Sequence, residues 1–232
     1  MRNQAKHVMK TKALNQYNIS DYDLVIFDCD GTLVDSERLS NRIIADMLRE
    51  LGVECTDEEV MDRFAGTSFD YINDYLTESL KLNLDFDFEK VYRKRSKVVF
   101  EKELLPIAGV PEFLHHLSTP ICIASNGPKE KMMVTLEVTD LLKYFTTGNM
   151  FSAYDIQKWK PEPDLFLLAA QEMGVKPSKC LVIEDTLHGA MGAIRAHMEV
   201  LVYVDDDAKK EEFHGEGIIT FDSYELLLAT LL

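Results

Sequence analysis

The sequence predicts a doubly wound parallel α/β sheet that carries an inserted, all-helical cap. Three observations predict it. Short, continuously apolar runs recur along the chain, as strands covered on both faces require. Helix-like segments alternate with them. One long stretch, residues 37–105, breaks that alternation and reads as helices only.

The first strand is Leu24-Val25-Ile26-Phe27. Within the insert, Leu39, Ile43, Ile44, Met47, Leu48 and Leu51 share one helical face. Thr56 followed by Glu59 has the spacing of a capping box and opens a second helix. Phe69, Ile72, Leu76 and Leu80 mark a third, and Val91, Arg95, Val98 and Val99 a fourth. The rhythm then returns with strands at Ile121–Ala124, Leu181–Ile183 and Val200–Val204, and a weaker one at Met150-Phe151. Helices are expected over Pro163–Met173 and Thr186–Ala196. Residues 1–20 are polar and mildly basic, lack an apolar h-region, and read as a flexible tail rather than a secretory signal. The expected division is a 1–20 tail, a core of 21–36 plus 106–232, and a 37–105 cap.

Charge narrows the partners. A formal net charge of -15 repels nucleic acid and anionic lipid at long range. No stretch is long and apolar enough to span a membrane. Cys29, Cys55, Cys122 and Cys180 form no CxxC pair and read as reduced thiols, so the cytoplasm is the expected compartment. The expected partner is a small molecule, and the expected state a monomer or weak homodimer.

Four strand ends carry chemistry. Asp28-Cys29-Asp30-Gly31-Thr32 follows the first strand and places two carboxylates two residues apart. Ser125-Asn126-Gly127 follows the second, supplying a hydroxyl, an amide and a permissive backbone. Lys160 lies in Lys-Pro-Glu-Pro before the helix at Pro163, and Glu184-Asp185 follows Leu181–Ile183. Open α/β sheets bind ligands at the carboxyl ends of their strands. Each piece alone is an ordinary turn; all four in this order are hard to explain as turns.

That order and spacing resemble the haloacid dehalogenase superfamily over nearly all of residues 22–232. Asp28 and Asp30 match its first motif, Ser125 its second, Lys160 its third, and Glu184 with Asp185 its fourth. The helical insert sits where the family's small C1 cap sits. The resemblance implies a Mg²⁺-dependent phosphatase. Asp28 attacks phosphorus and forms an aspartyl-phosphate, while Asp30 protonates the leaving alcohol and then activates water. Ser125, Thr32 and amides near Asn126 bind phosphoryl oxygens, and Lys160 balances charge. Mg²⁺ is held by Asp28, Asp185 and the Asp30 carbonyl, with Glu184 acting through water. Phosphate-monoester hydrolysis demands accelerations approaching ~10²¹, or about 28 kcal/mol. Acid–base help supplies only ~10²–10⁴ of this, so positioning and electrostatics supply the rest.

The leaving group should be selected from the insert, with Arg63, Thr67 and Ser68 as candidates. Mutases of this family, such as β-phosphoglucomutase, usually carry a Lys before the insert's Gly and an Arg three residues after it. Here those positions are Ala65 and Phe69, which favours hydrolysis over mutation. Ser125-Asn126-Gly127-Pro128, Lys131-Met132 and Phe151–Pro161 resemble bacterial 6-phosphogluconate phosphatases. The expected substrate is therefore a sugar phosphate or sugar-acid phosphate. The alternatives are a phosphosugar mutase and a catalytically silent phosphometabolite-binding module. Intact Asp30 and Asp185 count against dehalogenation, and no insert lysine is placed for phosphonate chemistry. Lys158 and Trp159 beside Lys160 read as a bystander and a packing residue. Asp35 reads as a hinge and His188 as a helix-surface residue. His197 stands where the family commonly has Gly.

Overall fold

The computed structural model describes residues 13–64, 67 and 69–231. The sheet has six strands: β1 (Leu24–Phe27), β2 (Ile121–Ser125), β3 (Met150–Ser152), β4 (Cys180–Glu184), β5 (Glu199–Tyr203) and β6 (Ile219–Phe221). Their order is β3-β2-β1-β4-β5-β6, and every pairing is parallel. The apolar runs are continuous because both faces are covered. Val25 and Phe27 join one hydrophobic cluster, while Leu24 and Ile26 join the other. β6 is the strand that the sequence reading lacked; with three residues at the sheet edge it has no long apolar run to announce it.

Between β1 and β2 lie α1 (Ser36–Glu50), α2 (Asp57–Phe64), α3 (Phe69–Asp74) and α4 (Phe88–Glu103), as the broken rhythm predicts. The Thr56–Glu59 capping box forms: Glu59 N donates to Thr56 Oγ1, and Thr56 N donates back to the Glu59 carboxylate. α4 differs from expectation. Its buried face is Phe88, Tyr92, Ser96 and Phe100, whereas Val98 is exposed. Ser96 interrupts the apolar stripe, which shifted the apparent face onto the valines.

The two crossings into this insert are tied together. Val34 bridges Pro106, and Asp35 N donates to the Leu105 carbonyl at 3.0 Å. Asp35 also holds Arg38 at 3.1 Å.

After β1's partner helices the chain adds α5 (Val110–His116), α6 (Lys129–Val138), α7 (Ala153–Ile156), α8 (Asp164–Glu172), α9 (Leu187–Arg195), α10 (Asp207–His214) and α11 (Tyr224–Leu231). α9 is capped by Thr186, whose hydroxyl accepts from Gly189 N. His197 follows α9 at φ +59°, a left-handed position that suits the glycine common there. The expected flexible tail is corrected over residues 13–20. Tyr17, Ile19 and Tyr22 are buried, and Tyr22 Oη donates to Glu199 at 2.5 Å, so large apolar side chains anchor this segment under the sheet. Residues 1–12 lie outside the described residues. No helix among the described residues is long and apolar enough to cross a membrane.

Candidate active site

The strand order reverses beside β1, whose neighbours are β2 on one side and β4 on the other. A crevice opens at such a switch point, outside the carboxyl ends of the strands. Asp28 follows β1, Ser125 ends β2, and Glu184 ends β4 with Asp185 just beyond. Four sequence-predicted residues thus converge because three adjacent parallel strands stop at one level.

Lys160 is the link between them. Its Nζ donates to Asp28 Oδ1 and, at 2.7 Å, to Glu184 Oε1. It is buried, with the Phe166 ring 5.0 Å from the ammonium. Its backbone N donates to Asn126 Oδ1 at 2.9 Å, which fastens the third motif to the second. Lys158 is exposed, so the choice between the two lysines follows from burial. Removing one partner of a buried ion pair strands the others and costs about 3–5 kcal/mol. Lys160→Met is expected to lose stability on that scale in urea unfolding; a loss below about 1 kcal/mol would deny Lys160 the central place assigned here.

Asp28 is buried, and burial pushes its carboxyl up to about 7 despite the opposing Lys160 charge. Asp185 is held well above the carboxylate range, first by burial and then by Glu184, Glu37 and Asp28. Lys160 is raised: burial opposes its charge, but Asp28 and Glu184 outweigh burial. Asp30 goes the other way. Burial alone would raise it, yet Lys131 and a Ser36 hydrogen bond bring it below the usual range.

Asp28 and Glu184 share one ammonium and Asp185 lies beside them, so with all three carboxylates ionised the group is two positive charges short of neutrality. A divalent cation fits that deficit. Among the described residues no three His, Cys, Asp or Glu side chains converge as a closed metal cage. Two carboxylates with backbone oxygen suit Mg²⁺, which keeps several waters. Glu184 does not belong to that set directly. Its Oε1 takes Lys160, and its Oε2 accepts from Asp185 N, Thr186 N and Thr186 Oγ1 at 2.8–2.9 Å. These bonds make Glu184 the anchor of Lys160 and of the turn that carries Asp185.

The fully buried hydroxyl of Thr32 donates to Asp185 Oδ1 at 3.0 Å and so orients that carboxylate. Ser125 is buried and its Oγ accepts from Gly127 N at 3.1 Å, shaping the turn that follows β2. Gly31, at φ +80°, lies so close to Asp185 that a Cβ there would fall 2.1 Å from Oδ2. Only glycine permits that approach.

The insert candidates are less central. Arg63 stacks over the Tyr75 ring at 4.6 Å, and Thr67 Oγ1 donates to the Phe64 carbonyl at 2.8 Å. Ser68, with Ala65 and Gly66, lies outside the described residues. Trp159, read as packing, is 41% exposed at the rim, edge-on to Tyr154 with ring centroids 5.9 Å apart. Arg93 of α4 reaches across to Tyr154 Oη at 3.4 Å, so insert and core meet there. His188 is exposed, as expected. All four cysteines are free thiols.

Two residues on Asp30 were not singled out for chemistry: Ser36, whose Oγ donates to Oδ1, and Lys131, 2.8 Å from Oδ2. A Lys six residues past the strand-end Ser125, one turn into the next helix, was the available signal for the second.

A parallel sheet with acidic and basic groups gathered at its switch point, under an inserted helical unit, defines a capped hydrolase. The chain belongs to the haloacid dehalogenase-like hydrolase family, which residues 25–203 match. It is 38% identical over 204 residues to the 6-phosphogluconate phosphatase of Escherichia coli, covering 88% of this chain and 91% of that protein. It is 30% identical over 183 residues to the fructose-1-phosphate phosphatase YqaB of the same organism, covering 78% and 95%. A conserved haloacid dehalogenase-like protein from Agrobacterium tumefaciens superposes with a TM-score of 0.79 at 31% identity, over 90% of this chain and 96% of that one.

Proposed function

We propose that the protein is a Mg²⁺-dependent phosphatase of small phosphate monoesters, acting on sugar or sugar-acid phosphates, with 6-phosphogluconate the first to test. The observation that carries this reading is the buried Lys160 joining Asp28 to Glu184 at the sheet's switch point. The substrate class rests on similarity to the two curated phosphatases, whose names specify phosphorylated sugars or sugar acids.

In the first step Asp28 attacks phosphorus. The new bond forms to its carboxylate oxygen as the ester P–O bond breaks, and Asp30 passes its proton to the departing oxygen. In the second step Asp30 takes a proton from water, which attacks the aspartyl-phosphate and frees Asp28. Lys160 keeps the Asp28 oxygen in place and faces the charge of the transferring group. Glu184 fixes Lys160 and the turn that carries Asp185. Ser125 and backbone amides near Asn126 bind the phosphoryl oxygens. Asp28, Asp185 and the Asp30 carbonyl would hold Mg²⁺, which supplies the missing positive charge. The insert and core form two units, near 37–105 and the remainder, with the tied hinge between them. Free thiols accord with a cytoplasmic setting.

The test is phosphate release in Mg²⁺ across a panel of sugar phosphates that includes 6-phosphogluconate and fructose 1-phosphate. β-Glucose 1-phosphate with its bisphosphate activator is added to expose mutase activity. Release from at least one sugar phosphate, stopped by EDTA, is expected. Conversion of β-glucose 1-phosphate without phosphate release would replace the hydrolytic reading with the mutase.

A further inference from the structure

Lys131 has no part in the mechanism above, yet it holds the residue that must handle the proton. Its Nζ lies 2.8 Å from Asp30 Oδ2, and its side chain is only 28% exposed. The other oxygen of Asp30 accepts from Ser36 Oγ at 2.5 Å. Each oxygen therefore has one partner. Lys131 comes from α6, which follows the core strand β2, and Ser36 opens α1 of the insert. Phe100 of α4 places its ring 6.0 Å from the ammonium. The pair lies against a bare backbone: a Cβ on Gly127 would sit 3.4 Å from Asp30 Oδ2 and 3.9 Å from Lys131 Cδ.

A carboxylate with one hydroxyl partner can turn among its χ1 wells. A second partner from a different element removes that freedom. Misplacing a reacting group by about 1 Å can cost 10²-fold in rate. A plain surface ion pair is the competing explanation, but such pairs are exposed and contribute little. This one is partly buried, wedged between insert and core, on a residue with no other evident structural duty.

We infer that Lys131 is a positioning residue that fixes the Asp30 carboxyl over the leaving-group oxygen. The inference rests on the reading of Asp30 as acid and base. Lys131 transfers no proton in either step; it keeps its bond to Oδ2, while the proton that goes to the ester oxygen is carried on Oδ1, whose partner Ser36 can accept as well as donate.

A structural role and a positioning role separate along a series of phenyl phosphates of one shape and rising leaving-group basicity. The series runs from p-nitrophenyl to p-methoxyphenyl phosphate. kcat/KM reports only the steps through departure of the phenol. A good leaving group needs no proton, and a poor one does. Lys131→Met is expected to lower kcat/KM by about tenfold on p-methoxyphenyl phosphate and by less than about threefold on p-nitrophenyl phosphate. Lys131→Arg should restore most of the loss. If Lys131→Met does not fold, Lys131→Gln is measured in its place. An equal loss along the whole series overturns the inference. Asp30→Asn separates it from the reading beneath it. A steep Asp30→Asn series beside a parallel Lys131 series removes Lys131 alone. A flat Asp30→Asn series removes the acid role itself.

Discussion

Asp28→Asn is expected to lower turnover by roughly 10⁵-fold or more, the scale on which loss of a nucleophile acts, while the protein stays folded. The two outcomes have one cause. Asp28 occupies a buried place where its charge is disfavoured, and burial pushes its carboxyl up to about 7. An amide of nearly the same shape removes the nucleophile and also removes a costly buried charge. Steady-state assays with the best sugar phosphate, beside thermal unfolding of both proteins, check the pair. Retained activity would sink the aspartyl-phosphate mechanism. Lost activity through unfolding would show only that Asp28 is structural.

Mg²⁺ should stabilise the protein, and more so at pH 8 than at pH 5. A ligand at 100 times its Kd adds about 2.7 kcal/mol. For a chain of this size that corresponds to a rise of roughly 5–10 °C in Tm. The pH dependence follows from the directions of the shifts. Asp28 and Asp185 have folded values above their unfolded ones. Their protonated forms favour the fold at low pH, and that contribution is lost as pH rises, for Asp28 from about 4 to about 7. Asp30 is lowered, so its contribution is present above its unfolded value and disappears only as pH falls through the folded one. The two windows do not overlap. Metal-free protein should therefore weaken on the order of 2 kcal/mol between pH 5 and 8, and Mg²⁺ should reverse this. Thermal scans with Mg²⁺ or EDTA at both pH values measure it. The same Tm rise in Asp185→Asn would place the ion elsewhere.

The fold was legible because its strands are buried on both faces. Leu24–Phe27 and Leu181–Ile183 need no polar side, so their apolar runs stand out against the amphipathic helices. β6 was not legible, since three residues at an edge carry too little pattern. The strand at Met150-Phe151 forms, but its sequence signal is weak for a related reason: β3 too is a three-residue edge strand. The residues gathered at the strand ends were legible because topology puts them there whatever their side chains do. Side-chain partners were not. Thr32 donates to Asp185, 153 positions away, and Glu184 accepts from Lys160, 24 positions away. The Lys131 contact with Asp30 depends on how α6 leaves its strand, of which the six-residue spacing from Ser125 is a faint trace. Arg63, a candidate for selecting the leaving group, lies over the aromatic face of Tyr75, a contact the sequence does not announce.

The register of β1 against β4 sets a rule on how this chain can change length. Phe27 pairs with Ile183, so Asp28 and Glu184 leave the sheet at the same height and on compatible sides. Loops and helices tolerate insertions, but these two strands obey parity. Deleting one residue within β1 would turn its remaining side chains through the sheet, swap the occupants of the two cores, and aim the carboxylate away from Lys160. Variation in this protein should therefore fall on loops and helix surfaces, while β1 and β4 keep their residue counts even where their apolar side chains are exchanged.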